Sequence, residues 1–118
     1  MNAVFICYPR CSTCRKAEAW LAEHGIEYTV RNIQREQPSG EEIGVWQERS
    51  GLPLKRFFNT SGQLYRQLAV KDRLPDMDRA EQLRLLGSDG MLVRRPILLC
   101  GDRVLVGFRE KEWADALL

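Results

Sequence analysis

The sequence predicts an α/β fold built on a small mixed sheet, and three observations carry that prediction. A short apolar run, Ala3-Val4-Phe5-Ile6-Cys7, passes directly into helix-like periodicity. A second extended run, Glu27 to Asn32, follows that helix. Near the C-terminus, Pro96-Ile97-Leu98-Leu99-Cys100 and Arg103-Val104-Leu105-Val106-Gly107 flank Gly101-Asp102, the pattern of a two-residue hairpin.

The elements follow in order. Ala3 to Cys7 reads as a buried strand. A helix is read over Arg15 to His24, with Ala17, Trp20, Leu21 and Ile26 on its inner side and Lys16, Glu18 and Glu23 elsewhere. Gly25 stands where a helix ends in a left-handed residue. Strand, helix and strand in succession imply a right-handed crossover and a parallel pair. Ser39-Gly40-Glu41-Glu42 has the spacing of a capping box, so a helix runs from there to about Ser50, stopped by Gly51 and Pro53. The preceding stretch, Gln34 to Gly40, reads as a mobile loop. Lys55 to Leu68 reads as short helical turns around a loop at Asn59 to Gly62. Asp78-x-x-Glu81 opens a further helix ending at Gly87, with Ala80, Leu83 and Leu86 facing inward, and a last amphipathic helix uses Trp113, Ala116 and Leu117. The order is β-α-β, a helical insert over about residues 38–90, then β-β-α. That is a thioredoxin-like (glutaredoxin-like) mixed four-stranded sheet with helices on both faces, read as a single domain over residues 1–118.

Composition narrows the function. A chain of 118 residues buries one core. Its 44% apolar and 29% charged content is that of a soluble globular protein. A net charge of +2 lacks the concentrated basic face of a direct nucleic-acid binder. No apolar stretch approaches the length of a membrane span. The N-terminal apolar run is short and has no basic lead, so no secretory leader is read and the cytoplasm is the expected location. There, four cysteines are reduced, catalytic or metal-bound rather than a structural disulfide framework.

The chemistry concentrates at Cys11-Ser12-Thr13-Cys14, at the strand-to-helix junction. Backbone N–H groups at a helix start stabilise a thiolate, the reactive form of cysteine. Arg10, Arg15 and Lys16 add positive charge beside it. Cys11, at the cap, is the expected nucleophile; Cys14, one turn deeper, is the expected resolving thiol. A zinc site needs four ligands, and only His24, Cys7 and Cys100 remain to complete one. Cys7 and Cys100 lie in apolar strand-like runs and read as buried thiols, so no metal is expected.

The second signal is Arg94-Arg95-Pro96-Ile97. Cis peptide bonds are nearly confined to X-Pro, and Pro96 stands before a strand expected to face the cysteine loop. Arg95 would then approach Cys11, where a guanidinium stabilises a thiolate or grips an oxyanion or carboxylate with two N–H groups. Arg95, Asn59, Arg15, Ser12 and Thr13 make up the candidate substrate- or anion-binding set. Other residues have plainer readings: His24 as a helix-end residue, Trp20, Trp46 and Trp113 as core anchors, and Lys55-Arg56 as a solvated face.

Three segments carry a family resemblance: Y-P-R-C-S-T-C-R-K-A-E-A-W-L, F-F-N-T-S-G-x-x-Y-R, and R-R-P-I-L-L followed by G-D-R-V-L-V-G-F-R-E-x-E-W. The chain resembles the ArsC/Spx family over nearly its whole length, closest to the YffB-like and Spx-like branch. That family comprises glutaredoxin-linked arsenate reductases, Spx transcriptional regulators and YffB-like proteins. The resemblance implies a thioredoxin-like fold with a helical insertion. For the arsenate reductases it implies a first-loop cysteine that attacks arsenate, three arginines that hold the oxyanion, and recycling by glutathione and glutaredoxin. Cys11 matches the nucleophile and Arg95 the arginine of the Arg-Pro motif. The other two arginine positions fall at Asn59 and near Val106, so two charge-assisted contacts to an oxyanion are missing unless Arg56 or Arg109 compensates. For the Spx regulators the resemblance implies a Cys-x-x-Cys redox switch at Cys11 and Cys14 linked to Arg95, and binding to the C-terminal domain of the α chain of RNA polymerase. Gly51 lies close to the position of their polymerase contact.

Two readings follow. In the first the chain is a thiol-dependent oxidoreductase, arsenate-reductase-like, linked to glutathione and glutaredoxin or to thioredoxin. It would act as a cytoplasmic monomer with no bound cofactor and with glutathione as co-substrate. In the second it is an Spx-like redox-sensing regulator whose disulfide sets its affinity for the RNA polymerase α subunit. Neither reading involves direct nucleic-acid contact or a membrane.

Overall fold

A computed structural model describes residues 3–118. In chain order the elements are β1 (Ala3–Cys7), α1 (Ser12–Glu23), β2 (Tyr28–Asn32), α2 (Gly40–Ser50), α3 (Gln63–Gln67), α4 (Val70–Arg73), α5 (Arg79–Ser88), β3 (Ile97–Cys100), β4 (Arg103–Val106) and α6 (Glu110–Leu117), with short 3-10 turns at Leu54–Phe57, Leu74–Asp76 and Gly90–Leu92. The chain forms two compact units. Among the described residues, one takes in those up to Asn32 and resumes over Arg95–Leu118; the other is Ile33–Arg94, which contains the expected helical insert.

The first unit is the mixed four-stranded sheet, ordered β2-β1-β3-β4. β1 pairs parallel with β2, Phe5 opposite Val30, across the helical crossover made by α1. β1 and β3 pair antiparallel with Phe5 opposite Leu98, and β3 and β4 antiparallel with Leu98 opposite Leu105. Opposed residues share a face, so Phe5, Leu98 and Leu105 line one side. α1 brings Cys14, Ala17, Trp20 and Leu21 onto that side, and α6 brings Trp113. The rings of Phe5, Trp20 and Phe108 all meet Trp113 at centroid distances of 5.0–6.5 Å, close to perpendicular. Trp113 Nε1 donates to the Gly107 carbonyl at 3.0 Å, which satisfies its one polar group inside the core. On alternate positions Ile6, Ile97, Val104 and Val106 are buried as well. Gly101, at φ 60°, turns the β3–β4 hairpin as its first central residue.

Helix α1 takes in the residues just before the Arg15–His24 run, and its cap falls at Cys11, where the motif placed it. Cys11 is extended (φ −86°, ψ 121°) and acts as the N-cap without a side-chain cap bond, so the second cysteine lies inside the first turn. The other end closes as read: Gly25 (φ 65°) donates to the Ala22 carbonyl and Ile26 to that of Leu21, the paired bonds of a Schellman motif.

The second unit is helical. α2 opens with the full capping box, Ser39 Oγ accepting from the Glu42 N–H and Glu42 Oε1 from the Ser39 N–H, both at 3.1 Å. It closes on Gly51 at φ 71°. α5 opens the same way through Asp78 and Glu81. The two helices approach closely at glycine: a Cβ on Gly87 would lie 2.6 Å from the Gly40 nitrogen. The inward face expected for α5 needs one correction. Leu86 is buried and Leu83 half-buried, but Ala80 is exposed. Steps of three residues slip about 60° per step against a 100° helix, so Ala80 has rotated off the stripe that Leu86 occupies. Between Ile33 and α2 the chain makes turns with Pro38 buried, and the Gln37 amide donates to the Gly87 carbonyl.

Candidate thiol active site

Tyr8-Pro9-Arg10 carries the chain from β1 to α1 in a turn closed by the Cys11 N–H donating to the Tyr8 carbonyl at 3.0 Å. This turn sets the two thiols at different depths. Cys11 is half-buried, whereas Cys14 is 3% exposed within the sheet-and-helix core. The Tyr8 backbone N–H donates to Cys14 Sγ at 3.4 Å.

The protonation chemistry of the pair is divided. Partial burial pushes the Cys11 thiol up, but the nearby Cys14 and Thr13 backbone N–H groups, the Cys14 thiol and the Arg95 side chain favour its anion, and the net result lies below the ordinary value. Cys14 moves the other way. Burial, with the charge and hydrogen bond of Cys11 and the charge of Cys7, outweighs the Tyr8 N–H and pushes it up to about 12. The surroundings therefore favour the anion at Cys11 and the protonated thiol at Cys14.

Arg95 is the cation that sequence pattern singled out. The Arg95–Pro96 bond is cis, and the Gly107 N–H donates to the Pro96 carbonyl at 2.8 Å. The Arg95 guanidinium carbon stands 5.2 Å from the centre of the Tyr8 ring. Arg94 behaves differently. Within the second unit it donates to the Phe58 carbonyl (3.3 Å) and to Thr60 Oγ1 (3.1 Å). Arg94 thus serves the backbone of the second unit, while Arg95 belongs to the first unit and lies over Tyr8.

The remaining candidates are placed as follows. The Thr13 backbone N–H is one of the groups that favour the Cys11 anion. Ser12 is exposed on the first turn of α1. Arg15 donates from Nε to the Pro9 carbonyl at 3.4 Å. Asn59 belongs to the second unit, where its N–H donates to the Leu92 carbonyl and its carbonyl accepts from Gly62. His24 caps the C-terminal end of α1 and its ring lies 4.3 Å from that of Trp20.

Cys7 sits in the core under α1, with its thiol pushed up by burial and by the charges of Glu18 and Cys11. Cys100 is a correction: it is partly exposed, because it ends β3 at the hairpin turn rather than lying within the core. Among the described residues no group of three His, Cys, Asp or Glu side chains is placed to hold a metal ion. The residue that sequence pattern did not single out is Tyr8. Its only local signal is an aromatic placed between the strand and the first cysteine.

Such a site can perform thiol-disulfide exchange, in which a thiolate attacks a disulfide sulfur and a second thiol displaces the adduct. The profile of the ArsC family matches residues 7–116. The chain belongs to the ArsC family. It is 50% identical over 115 residues to the Bacillus subtilis (strain 168) protein YusI, which bears no functional name, covering 98% of each chain. It is 37% identical over 105 residues to the global transcriptional regulator Spx of Staphylococcus aureus (strain Mu50), covering 88% of this chain and 78% of that one. The crystal structure of an ArsC-family-related protein from Bacteroides fragilis superposes with a TM-score of 0.94 at 48% identity, over 98% of this chain and 97% of that one. No helix among the described residues of this ArsC-family chain is long and apolar enough to cross a membrane.

Proposed function

We propose that this ArsC-family chain is a thiol-disulfide oxidoreductase in which Cys11 is the nucleophile and Cys14 the resolving thiol. The observation that carries the reading is the unlike placement of the pair, Cys11 at the cap of α1 with its thiol shifted down and Cys14 buried in the core with its thiol pushed up to about 12. The Cys11 thiolate attacks one sulfur of a disulfide, forming a mixed disulfide and expelling a thiolate. Cys14 then gives up its proton and attacks the Cys11 sulfur, expelling the second thiolate and leaving a Cys11–Cys14 disulfide. The protein has lost two electrons and the substrate has gained them. Glutathione with glutaredoxin, or thioredoxin, returns the protein to the dithiol. The chain works as a cytoplasmic monomer with no bound cofactor.

Arg95 supports the first step by hydrogen-bonding the Cys11 sulfur. Two of the three oxyanion-binding arginines implied by the family's reductases have no match here, which favours disulfides over arsenate as the oxidised substrate. The test is turnover of a small disulfide such as cystine and of arsenate, each with glutathione, glutaredoxin or thioredoxin as electron donor, in wild type and Cys11→Ser. Turnover that vanishes in Cys11→Ser is expected. A folded wild type with no turnover on any of these would overturn the enzymatic reading.

The identity to Spx favours a second reading, a redox-sensing regulator. It requires that the α chain of RNA polymerase, through its C-terminal domain, bind one redox state of Cys11 and Cys14 more tightly than the other. Equal absence of binding in both states removes it.

A further inference from the structure

We infer that Tyr8 is a positioning residue for the Cys11 thiolate: its ring seats the Arg95 guanidinium so that the cation reaches the Cys11 sulfur. The inference rests on the proposal that Cys11 is the nucleophile and adds to it the residue that holds its cation.

Two contacts place Tyr8 beside Cys14 and Arg95. Its backbone N–H donates to Cys14 Sγ at 3.4 Å, and its ring centre lies 5.2 Å from the Arg95 guanidinium carbon. The second distance lies within the range over which an aromatic face attracts a cation. Tyr8 is half-buried, so its ring is not held for core packing alone. An unrestrained arginine side chain is long, rotatable and hydrated, and it loses that freedom on binding a single sulfur. A ring beneath the guanidinium removes much of that freedom beforehand, and the N–H fork then costs less to aim at Cys11. Hydrogen-bond donation from Arg95 is one of the influences that lower the Cys11 thiol, so the ring acts on Cys11 through Arg95.

The two contacts separate cleanly in a mutant. Replacing the side chain leaves the Tyr8 peptide N–H in place for Cys14 and removes only the ring. Tyr8 therefore acts on Cys11 through its ring and on Cys14 through its backbone.

The test is the pH profile of Cys11 alkylation, followed by mass spectrometry of the Cys11 peptide. The proteins are wild type, Tyr8→Phe, Tyr8→Trp, Tyr8→Leu and Tyr8→Met, together with Arg95→Met and its double variant with Tyr8→Leu. Tyr8→Leu and Tyr8→Met should move the midpoint upward and lower the thiolate fraction below the midpoint about two- to fivefold. Tyr8→Phe and Tyr8→Trp, which keep a ring face, should hold the wild-type midpoint. In the Arg95→Met background, Tyr8→Leu should add nothing. An unchanged midpoint in the ringless variants overturns the inference, and so does an equal shift with Arg95 absent. Should Tyr8→Leu fail to fold by circular dichroism, Tyr8→Met, similar in length and equally without a ring face, decides. A wild-type midpoint already in the ordinary thiol range strikes at Cys11 as nucleophile and is a different result from an unmoved ringless variant.

Discussion

The thiols of Cys11 and Cys14, in hydrogen-bond contact across the first turn of α1, are driven in opposite directions by their surroundings. Spacing alone does not produce this division. Both residues follow the same strand and open the same helix, but Cys11 is the N-cap at the open end of the helix, while Cys14 is one turn inside and belongs to the same buried cluster as Phe5 and Trp20. A helix N-terminus stabilises an anion only where its N–H groups are free of the helix's own bonds, which is at the cap. Arg95 adds a cation on the same side.

The division of roles predicts which adducts accumulate. With Cys14→Ser the mixed disulfide on Cys11 has no resolving neighbour, so a glutathione adduct should persist on the Cys11 peptide after treatment with oxidised glutathione. Cys11→Ser should form none on Cys14, whose thiol stays protonated. Peptide mapping by mass spectrometry reads both. Comparable adduct on Cys14 in Cys11→Ser would reverse the assignment.

Stability of the reduced protein should fall as pH rises from 9 to about 12. Cys14 has a folded value of about 12 against an ordinary thiol value of 9.0. A group raised on folding contributes stability fully present below its unfolded value and lost as pH climbs through its folded one. Cys7 and Tyr28 are also raised, by burial first and then by Glu18, and act in the same sense. Cys11, held low, works oppositely: its contribution is present above the ordinary thiol range and fades as pH falls through its folded value. The urea midpoint of reduced protein, followed from pH 8 upward, should drop more steeply in wild type than in Cys14→Ser, in which the Cys7 and Tyr28 contributions remain. Equal slopes would place the Cys14 thiol in an ordinary environment.

The parts of this molecule that were legible in the sequence are those decided within a few residues. The Ser39/Glu42 box, Gly25 after α1 and Gly101 in the hairpin each satisfy or bend backbone locally, and the structure has them where the pattern put them. The cap of α1 at Cys11 is legible from the Cys-x-x-Cys at the strand-to-helix junction, although no side-chain bond marks it. Ala80 was misplaced because a three-residue step only approximates a helical face. The separation of Arg94 from Arg95, the partial exposure of Cys100 and the placing of Tyr8 under Arg95 all depend on pairings between distant segments, which local periodicity does not encode.

Within the helical unit, Gly87→Ala should destabilise by about 1–3 kcal/mol. Its new Cβ would meet the Gly40 nitrogen at 2.6 Å, a contact with backbone that no rotamer change relieves. Gly40→Ala should behave alike, because its Cβ would lie 2.7 Å from the Leu83 carbonyl oxygen. α2 and α5 must part in either variant. By contrast Gly44→Ala meets flexible side-chain ends of Arg79 and Leu83 at 3.3 Å and should cost less. Urea denaturation of the three variants checks the order, and a Gly87→Ala protein as stable as wild type would show that the helices yield without loss.

Trp113 should be the most costly core residue to truncate in the sheet unit. It is fully buried, and Phe5, Trp20 and Phe108 all present their rings to it. Trp113→Ala should cost about 3–5 kcal/mol through lost burial and the cavity left behind. Trp113→Phe keeps most of the ring packing but removes the indole N–H from the Gly107 carbonyl, and an acceptor left unsatisfied inside a core costs about 1–3 kcal/mol. Gly107 is also held by its own N–H on the Pro96 carbonyl and adopts φ 72°, so its backbone has little room to find another donor. Thermal unfolding should therefore rank wild type above Trp113→Phe and Trp113→Phe above Trp113→Ala. Should the phenylalanine variant match wild type, the indole bond contributes nothing and Trp113 is held by packing alone.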